Sequence, residues 1–202
     1  MLLIISHGGS LKSRLIRHRG NSFECSIEQT GQDAGGGVAG RSRRVLVTIG
    51  RKRLPFVEKI FKAGFEGLYP RSVFILGELK KLKLSVPPRF MLSERGSIIM
   101  TDLSEGGKFK VVDYVNPGGL NPQVHTLRNF NDIVHQMNEE GTKAAKHGFN
   151  LNAKNWLVVI DSEKNIGRPY IVDTKEVNMV SETQKKFLQW KEGLSNRDWF
   201  SI

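Results

Sequence analysis

Apolar and polar positions alternate through much of the first half of the chain, which predicts β-strands. Alternation marks residues 23–29, and apolar runs follow at 45–49 and 56–61, with the glycine-rich segment 31–40 between the first two. Residues 89–92 and 97–100 add two more short strands. These positions predict a five-stranded antiparallel sheet. Residues 1–22 lack a clear period, and we expect a weakly ordered lead-in or a short strand plus a turn.

Helical spacing of apolar residues appears at three places. Val73, Leu76 and Leu79 predict a helix over 72–84, ended by the prolines that follow. Residues 130–146 predict a second helix, residues 182–190 a third, and two buried strands lie between them at 156–160 and 170–172. A polar connector at 101–107 separates the halves. We therefore expect an α+β fold with a lead-in (1–22), an N-lobe of five strands and one helix (23–104), and a reduced, mainly helical C-lobe (105–202).

Composition narrows the class of protein. The chain has 202 residues, of which 39% are hydrophobic and 25% charged, the balance of a globular protein. The apolar start at residues 1–5 is too short for an export signal, so we expect a soluble protein. A single cysteine, Cys25, excludes an internal disulfide and a cysteine-cluster metal site. The net charge of +11 favours polyanionic partners without choosing among them.

The candidate chemistry lies in the order of polar residues along these elements. A glycine-rich hairpin is followed by Lys59 on a strand, Glu78 on a helix, a linker, Asn155 before a strand, and Asp173 after the next strand. Phosphoryl transfer needs a flexible cover for the phosphates, a cation to hold them, an anion to orient that cation, and oxygen ligands for a metal. The chain has a candidate for each part.

In this order the chain resembles the protein-kinase fold over about residues 23–180. Lys59 resembles the lysine of the third kinase strand, and Glu78 resembles the helix glutamate that pairs with it. Asn155 and Asp173 resemble the two Mg²⁺ ligands of kinases. The resemblance implies that ATP and Mg²⁺ bind between the lobes, with Lys59 and Asp173 converging on one cleft. The implied nucleotide contacts also include the glycine-rich loop and the linker backbone: Gly35, Gly36, Gly37, Val38, Gly40, Thr101 and Leu103.

Two departures from the kinase pattern change the expectation. Asn150 stands where active kinases have the aspartate that accepts the proton of the substrate hydroxyl, and an amide cannot serve as that base. Thr174 and Lys175 replace Phe-Gly after Asp173, and the 29 residues that follow Asp173 cannot hold a full activation segment. The chain therefore resembles the minimal kinases found among bacterial secreted effectors, or a pseudokinase.

The resemblance implies an ATP- and Mg²⁺-dependent kinase that phosphorylates Ser, Thr or Tyr hydroxyls of a protein, with Lys59, Asn150 and Asp173 in catalytic positions. A pseudokinase that binds nucleotide or a protein partner is the first alternative. A basic nucleic-acid-binding domain is the second, although no zinc-ligand spacing or helix-turn-helix pattern supports it. The acceptor could also be a small molecule. We expect a cytoplasmic protein or one delivered into a host cell as a secreted effector.

Overall fold

A computed structural model describes residues 2–7, 13–18, 21–36, 40–49, 51–65, 67–93, 97–175 and 177–195. This part of the chain divides into two compact units. The first lies within residues 1–73, 88–102 and 190–202, and the second within 74–87 and 103–189.

The first unit is built around a sheet that closes on itself. Among the described residues its strands are β1 (Leu2–His7), β2 (Ser13–His18), β3 (Asn21–Gly36), β4 (Gly40–Ile49), β5 (Lys52–Phe61), β6 (Phe90–Ser93) and β7 (Ser97–Thr101). Their order is β1-β2-β3-β4-β5-β7-β6. Neighbouring strands are antiparallel except for β1 and β6, which pair in parallel and close the sheet.

The α+β class is confirmed, but the prediction of a five-stranded sheet is not. The five predicted strands correspond to β3–β7, and β1 and β2 join them from the segment expected to be a lead-in or a short strand plus turn. Closure depends on pairing Leu2 with Phe90, which are distant in sequence. Local periodicity carries no signal for such a non-local contact, so the pattern of residues could not predict it.

The core of the first unit follows the two-residue period of its strands. Val45 and Val47 of β4, Phe56 of β5 and Ile99 of β7 are buried together on one face. Partly buried Ile27 and Leu54 pack against them. Burying each such side chain contributes about 1.5–3 kcal/mol, so this cluster is a main source of stability for the sheet.

Helix α1 (Leu68–Lys81) starts and ends a few residues earlier than predicted. Pro70 is tolerated in its first turn, where backbone N–H groups have no helical partner. The helix ends because Lys83 adopts a left-handed φ of 57°, with its N–H bonded to the Lys80 carbonyl and the N–H of Leu84 bonded to the Leu79 carbonyl. This pattern of two bonds is a Schellman cap.

The second unit contains strands as well as helices, so it is less helical than predicted. Its main sheet has the order β13-β12-β8 within the described residues. The strands are β8 (Lys110–Asp113), β9 (Val115–Asn116), β10 (Gly119–Leu120), β11 (Phe149–Asn150), β12 (Trp156–Asp161), β13 (Ile166–Ile171) and β14 (Asn178–Met179). Short antiparallel pairs join β9 to β10 and β11 to β14. The helices are α2 (Pro122–His125), α3 (Phe130–Lys146) and α4 (Ser181–Ser195), with a 3₁₀ turn at Ala153–Asn155.

Helix α3 has the predicted bounds and packs on this sheet. Its core residue Ile133 joins Val158 and Ile160 of β12 in a buried cluster. Asn129 occupies the N-cap position without a side-chain cap bond; it donates its side-chain amide to the Gly167 carbonyl at 2.8 Å and accepts the Gly167 N–H at 2.9 Å. These two bonds fix the start of α3 on β13.

No helix within the described segments is long and apolar enough to span a membrane.

Candidate functional site

Asn155 ties the turn before β12 to the segment after β13. Its side chain is 1% exposed, and both polar atoms are bonded: Oδ1 accepts the Asn152 N–H at 2.7 Å, and Nδ2 donates to the Asp173 carbonyl at 2.6 Å. The Asn155 carbonyl also accepts the Val172 N–H at 3.0 Å. The structure therefore brings Asn155 and Asp173 together, and it does so through the backbone of Asp173.

Asn152 fixes the same turn from its other end. Its Oδ1 accepts the Lys154 N–H at 2.9 Å, while Asn155 Oδ1 accepts the Asn152 N–H, so the two asparagines form a reciprocal capping box. Such a box satisfies donors at the start of the turn that would otherwise lack partners. The turn consequently delivers Asn155 into the start of β12 in one defined geometry.

The carboxylate of Asp173 stands at the end of β13 beside Lys175. One oxygen accepts the Lys175 N–H at 3.3 Å, and the other lies 3.0 Å from the Lys175 ammonium. The side chains are 32% and 28% exposed, respectively. The carboxylate of Asp173 is therefore partly exposed and engaged by Lys175, while Asn155 holds its backbone.

A second carboxylate, that of Asp113, acts on this site. Asp113 ends β8 opposite Leu157 of β12. Partial burial raises the pKa of Asp113, the negative charge of Asp173 raises it further, and the Lys175 ammonium opposes both effects. At one end of the three-stranded sheet, the charges of Asp113, Asp173 and Lys175 thus influence one another. We call Asp113 and Asp173 the acidic pair.

Sequence reasoning missed Asp113, although a signal was present. Val111 and Val112 directly precede Asp113, much as the apolar residues 170–172 directly precede Asp173. The pairing of β8 with β12 was not predicted, so nothing placed the second acid next to the first. Pairing between strands decides which polar residues share an end of a sheet.

The two carboxylates are the type of oxygen donor that Mg²⁺ takes in proteins. Mg²⁺ is usually held by one or two carboxylates plus substrate oxygens and water, not by a closed set of protein ligands. Asp113 and Asp173 supply two carboxylates, and no group of three His, Cys, Asp or Glu side chains suited to a metal occurs in the described ranges. The amide of Asn155, a predicted ligand, already has two partners within the protein.

In the first unit, Lys59 lies in β5 between Ser42 and Ile98 of the neighbouring strands. The side chain is half-buried, and its ammonium lies 5.8 Å from the centroid of the Phe61 ring. This distance allows a cation–π contact. Lys59 and Asp173 belong to different units.

The residue before Lys59 forms a buried polar cluster that sequence reasoning missed. Glu58 is 3% exposed and accepts hydrogen bonds from Arg43 at 2.7 Å and from Ser97 at 2.7 Å. Phe56 and Glu58 share the inner face because side chains two apart point the same way in a strand. The two-residue period of the strand alone could therefore have predicted that Glu58, and not Lys59, faces inward.

Strands β3 and β4 pair as predicted, but residues 31–36, predicted to belong to a glycine-rich tip, continue β3 instead. Gly35 and Gly36 end β3 and pair with Ser42 and Arg41, and Gly40 begins β4. Gly37 and Val38 lie outside the described residues. A Cβ atom on Gly40 would come within 2.5 Å of the Ile60 carbonyl oxygen. Close approach of β5 is thus a structural reason for glycine at this position.

The side chain of Glu78 faces Lys81 one turn later in α1. Its Oε1 lies 2.5 Å from the Lys81 ammonium, and the side chain is 33% exposed. This is an i,i+3 ion pair of the kind common on helix surfaces.

Some backbone N–H groups of the linker already have hydrogen-bond partners within the protein. The N–H of Thr101 bonds to the Arg89 carbonyl at 2.9 Å, and the N–H of Asp102 bonds to the Pro55 carbonyl at 3.2 Å. Leu103 is half-buried and opens the second unit. Of the linker residues predicted to contact the nucleotide, Thr101 therefore already has its N–H bonded within the first unit.

Asn150, which stands in the sequence where active kinases have the catalytic base, lies on β11. It is exposed and pairs with Asn178 of β14. Its side chain is therefore accessible, but an amide has no basic oxygen with which to accept a proton.

Compared with known proteins, the sequence matches no protein-family model, and no curated protein is significantly similar to it.

Proposed function

We propose that this chain is a phosphotransferase of minimal kinase type that uses ATP and Mg²⁺ to phosphorylate a hydroxyl of a protein. The observation that supports the proposal best is the bond from Asn155 Nδ2 to the Asp173 carbonyl. It links the turn before one strand to the acid after the next strand, in the chain order expected from the kinase resemblance. A second acid, Asp113, is electrostatically coupled to Asp173.

In this proposal each residue has a separate task. Asp173 and Asp113 would hold Mg²⁺, whose charge would stabilise the negative phosphoryl oxygens. Asn155 positions Asp173 and does not itself bind the metal, because its amide is engaged. Lys175 balances the charge of Asp173. Lys59 would hold the phosphates, whereas Glu78 is paired with Lys81 and has no task in the proposed site.

The first alternative, a pseudokinase that binds nucleotide without transfer, is supported by a specific residue. Asn150 cannot accept the proton of a substrate hydroxyl. Phosphoryl transfer depends mainly on positioning and charge stabilisation, so the loss of a base slows the reaction without excluding it. Nucleotide binding is common to both functions, and only transfer separates them.

The decisive experiment compares Asp173→Asn with Asp132→Asn, an exposed acid at the start of α3. We expect Mg²⁺-dependent ATP turnover and stabilisation of the wild type and of Asp132→Asn by Mg²⁺-ATP in thermal melts. Asp173→Asn should lose at least about tenfold in turnover, since a transition-state charge contact is typically worth 10²-fold or more. Stabilisation without turnover in the wild type would identify the pseudokinase. Turnover that survives in Asp173→Asn would refute the proposal.

Lys59 has a matched control in the same strand. Lys52→Met removes an exposed cation from the start of β5, whereas Lys59→Met removes the half-buried one. We expect Lys59→Met to abolish turnover and Lys52→Met to preserve it. Equal activity of the two variants would remove Lys59 from the proposed site.

A further inference from the structure

The second unit contains a pocket of about 430 Å³ between α3 and the turn that precedes β12. Its walls include Met137 of α3, Tyr114, Trp156 and residues 151–153. The volume lies within the range of roughly 300–1,000 Å³ found for ligand pockets. No residue assigned to nucleotide or metal lines it, so it is a feature separate from the proposed phosphate chemistry.

The chemistry of the lining selects a neutral aromatic group. None of the lining residues, all of which lie in the described part of the chain, carries a charge. Tyr114, Trp156 and Met137 offer two rings and a thioether, which favour contact with another ring. Asn138, Thr142 and Asn152 add neutral polar groups. In a protein of net charge +11, a site without cations is not suited to a phosphate or another anion.

The pocket is open along one side of α3. Asn138, Thr142 and Ala145 line it and are themselves exposed to solvent. Small-molecule sites usually bury most of the ligand. An open pocket instead suits a side chain that enters from a protein whose backbone stays outside, along the helix surface.

We propose that this pocket docks an aromatic side chain of the acceptor protein. The inference rests on the proposed function, because it assigns the pocket to the protein that is phosphorylated. Asn152 connects the two sites: it lines the pocket, and its N–H bonds to Asn155, which holds Asp173. A partner anchored here would lie on the other side of the turn that positions the acidic pair.

Substitution of Gly141 by a larger residue is a way to fill the pocket experimentally. It lines the pocket within α3, and a Cβ atom added to it would meet no atom within 4 Å. Gly141→Phe should therefore fill the space, whereas Gly141→Ala should leave it open and strengthen the helix. Ala145→Phe is a second filling variant in case Gly141→Phe does not fold.

The test measures binding without nucleotide, so its result does not depend on turnover. N-acetyl-tryptophanamide, N-acetyl-alaninamide and free indole are titrated into ¹⁵N-labelled protein, and the amide signals of Gly141 and Asn152 are followed by NMR. We expect saturable shifts with N-acetyl-tryptophanamide, with a Kd on the order of 1 mM, and none with N-acetyl-alaninamide. Gly141→Ala should keep this affinity, and a folded filling variant should lose at least about tenfold.

Two results would overturn the docking proposal. Absence of shifts with N-acetyl-tryptophanamide would show that the pocket does not accept an aromatic side chain. Binding of indole alone would show a site for free small molecules. Either result leaves the comparison of Asp173→Asn with Asp132→Asn unaffected, so failure of this inference and failure of the proposed function are distinguishable.

Discussion

At the scale of single residues, Asn155 connects two chain segments through one amide. Replacing it with alanine removes the partner of the Asn152 N–H and of the Asp173 carbonyl, both of which are part-buried bonds. Each such bond contributes about 1 kcal/mol, so Asn155→Ala should lower the free energy of unfolding by about 2 kcal/mol. Urea denaturation measures the change. Asn152→Ala, which removes a single exposed capping acceptor, should cost only about 1 kcal/mol. Equal losses would contradict this account.

Asp161 gives a pH-dependent prediction at the turn between β12 and β13. The Lys164 N–H, bonded to Oδ1 at 3.2 Å, is the main cause that lowers the pKa of Asp161. Burial raises the pKa, and the Lys164 side chain lowers it further. Because the pKa of Asp161 is lower in the folded protein, its ionised carboxylate stabilises the fold at pH values above its ordinary pKa of 3.8. This contribution is lost as the pH falls through the folded-state pKa.

Asp161→Ala should therefore lower the melting temperature at neutral pH, and the gap from wild type should narrow as the pH falls below 3.8. Thermal melts across this range test it. Asp161→Asn keeps an oxygen acceptor for the Lys164 N–H and serves as the control, with a smaller loss at neutral pH. A difference in melting temperature that widens in acid would show that folding does not lower the pKa of Asp161.

The sequence predicted some site residues and not others for physical reasons. Asp173 was predictable because an acid that directly follows an apolar strand lies at the end of that strand. Asp113 has the same local pattern, but its relevance depends on which strand β8 pairs with. The amide bonds of Asn155 were not predictable either, because residue type alone does not show whether an amide binds a metal or the backbone.

At the scale of elements, β4 and β5 approach so closely that Gly40 has no space for a side chain. Its Cβ would lie 2.5 Å from a backbone oxygen of β5, which cannot rotate away as a side chain could. Gly40→Ala should therefore cost about 1–3 kcal/mol through overpacking, measured as a lower urea midpoint. Gly77→Ala in α1 meets no atom within 4 Å and should gain about 0.5–1 kcal/mol. A neutral Gly40→Ala would show that the glycine is not needed for packing.

Element prediction succeeded where the pattern is long and local. Helix α3 has the predicted bounds because its apolar stripe recurs over four turns, and β12 was found as an apolar run. Strand β13 starts at Ile166, before the predicted start at residue 170, because Gly167, Arg168 and Pro169 interrupt the apolar run. The end of α1 was missed because a lysine, not a glycine, adopts the left-handed cap conformation at position 83. The strands β1 and β2 lie where no clear period predicted them.

At the scale of the whole molecule, the net charge of +11 affects every binding experiment. A strongly basic protein attracts any polyphosphate, so stabilisation by ATP could reflect charge alone. The same charge supports the alternative of a nucleic-acid-binding domain, for which binding should fall steeply with salt. Salt therefore separates general attraction from a structured nucleotide site.

Raising the salt from about 0.15 M to about 1 M shortens the Debye length from about 8 Å to about 3 Å. Attraction by surface charge should then vanish, whereas direct contacts in a partly buried site are screened less. We expect Mg²⁺-ATP to stabilise the wild type in thermal melts at both salt concentrations, and Mg²⁺-tripolyphosphate or a short RNA to do so only at the lower one. Asp132→Asn should behave as the wild type, and Asp173→Asn should lose the salt-resistant part. If all three ligands lose their effect together, the +11 charge explains the binding and the nucleotide site does not exist.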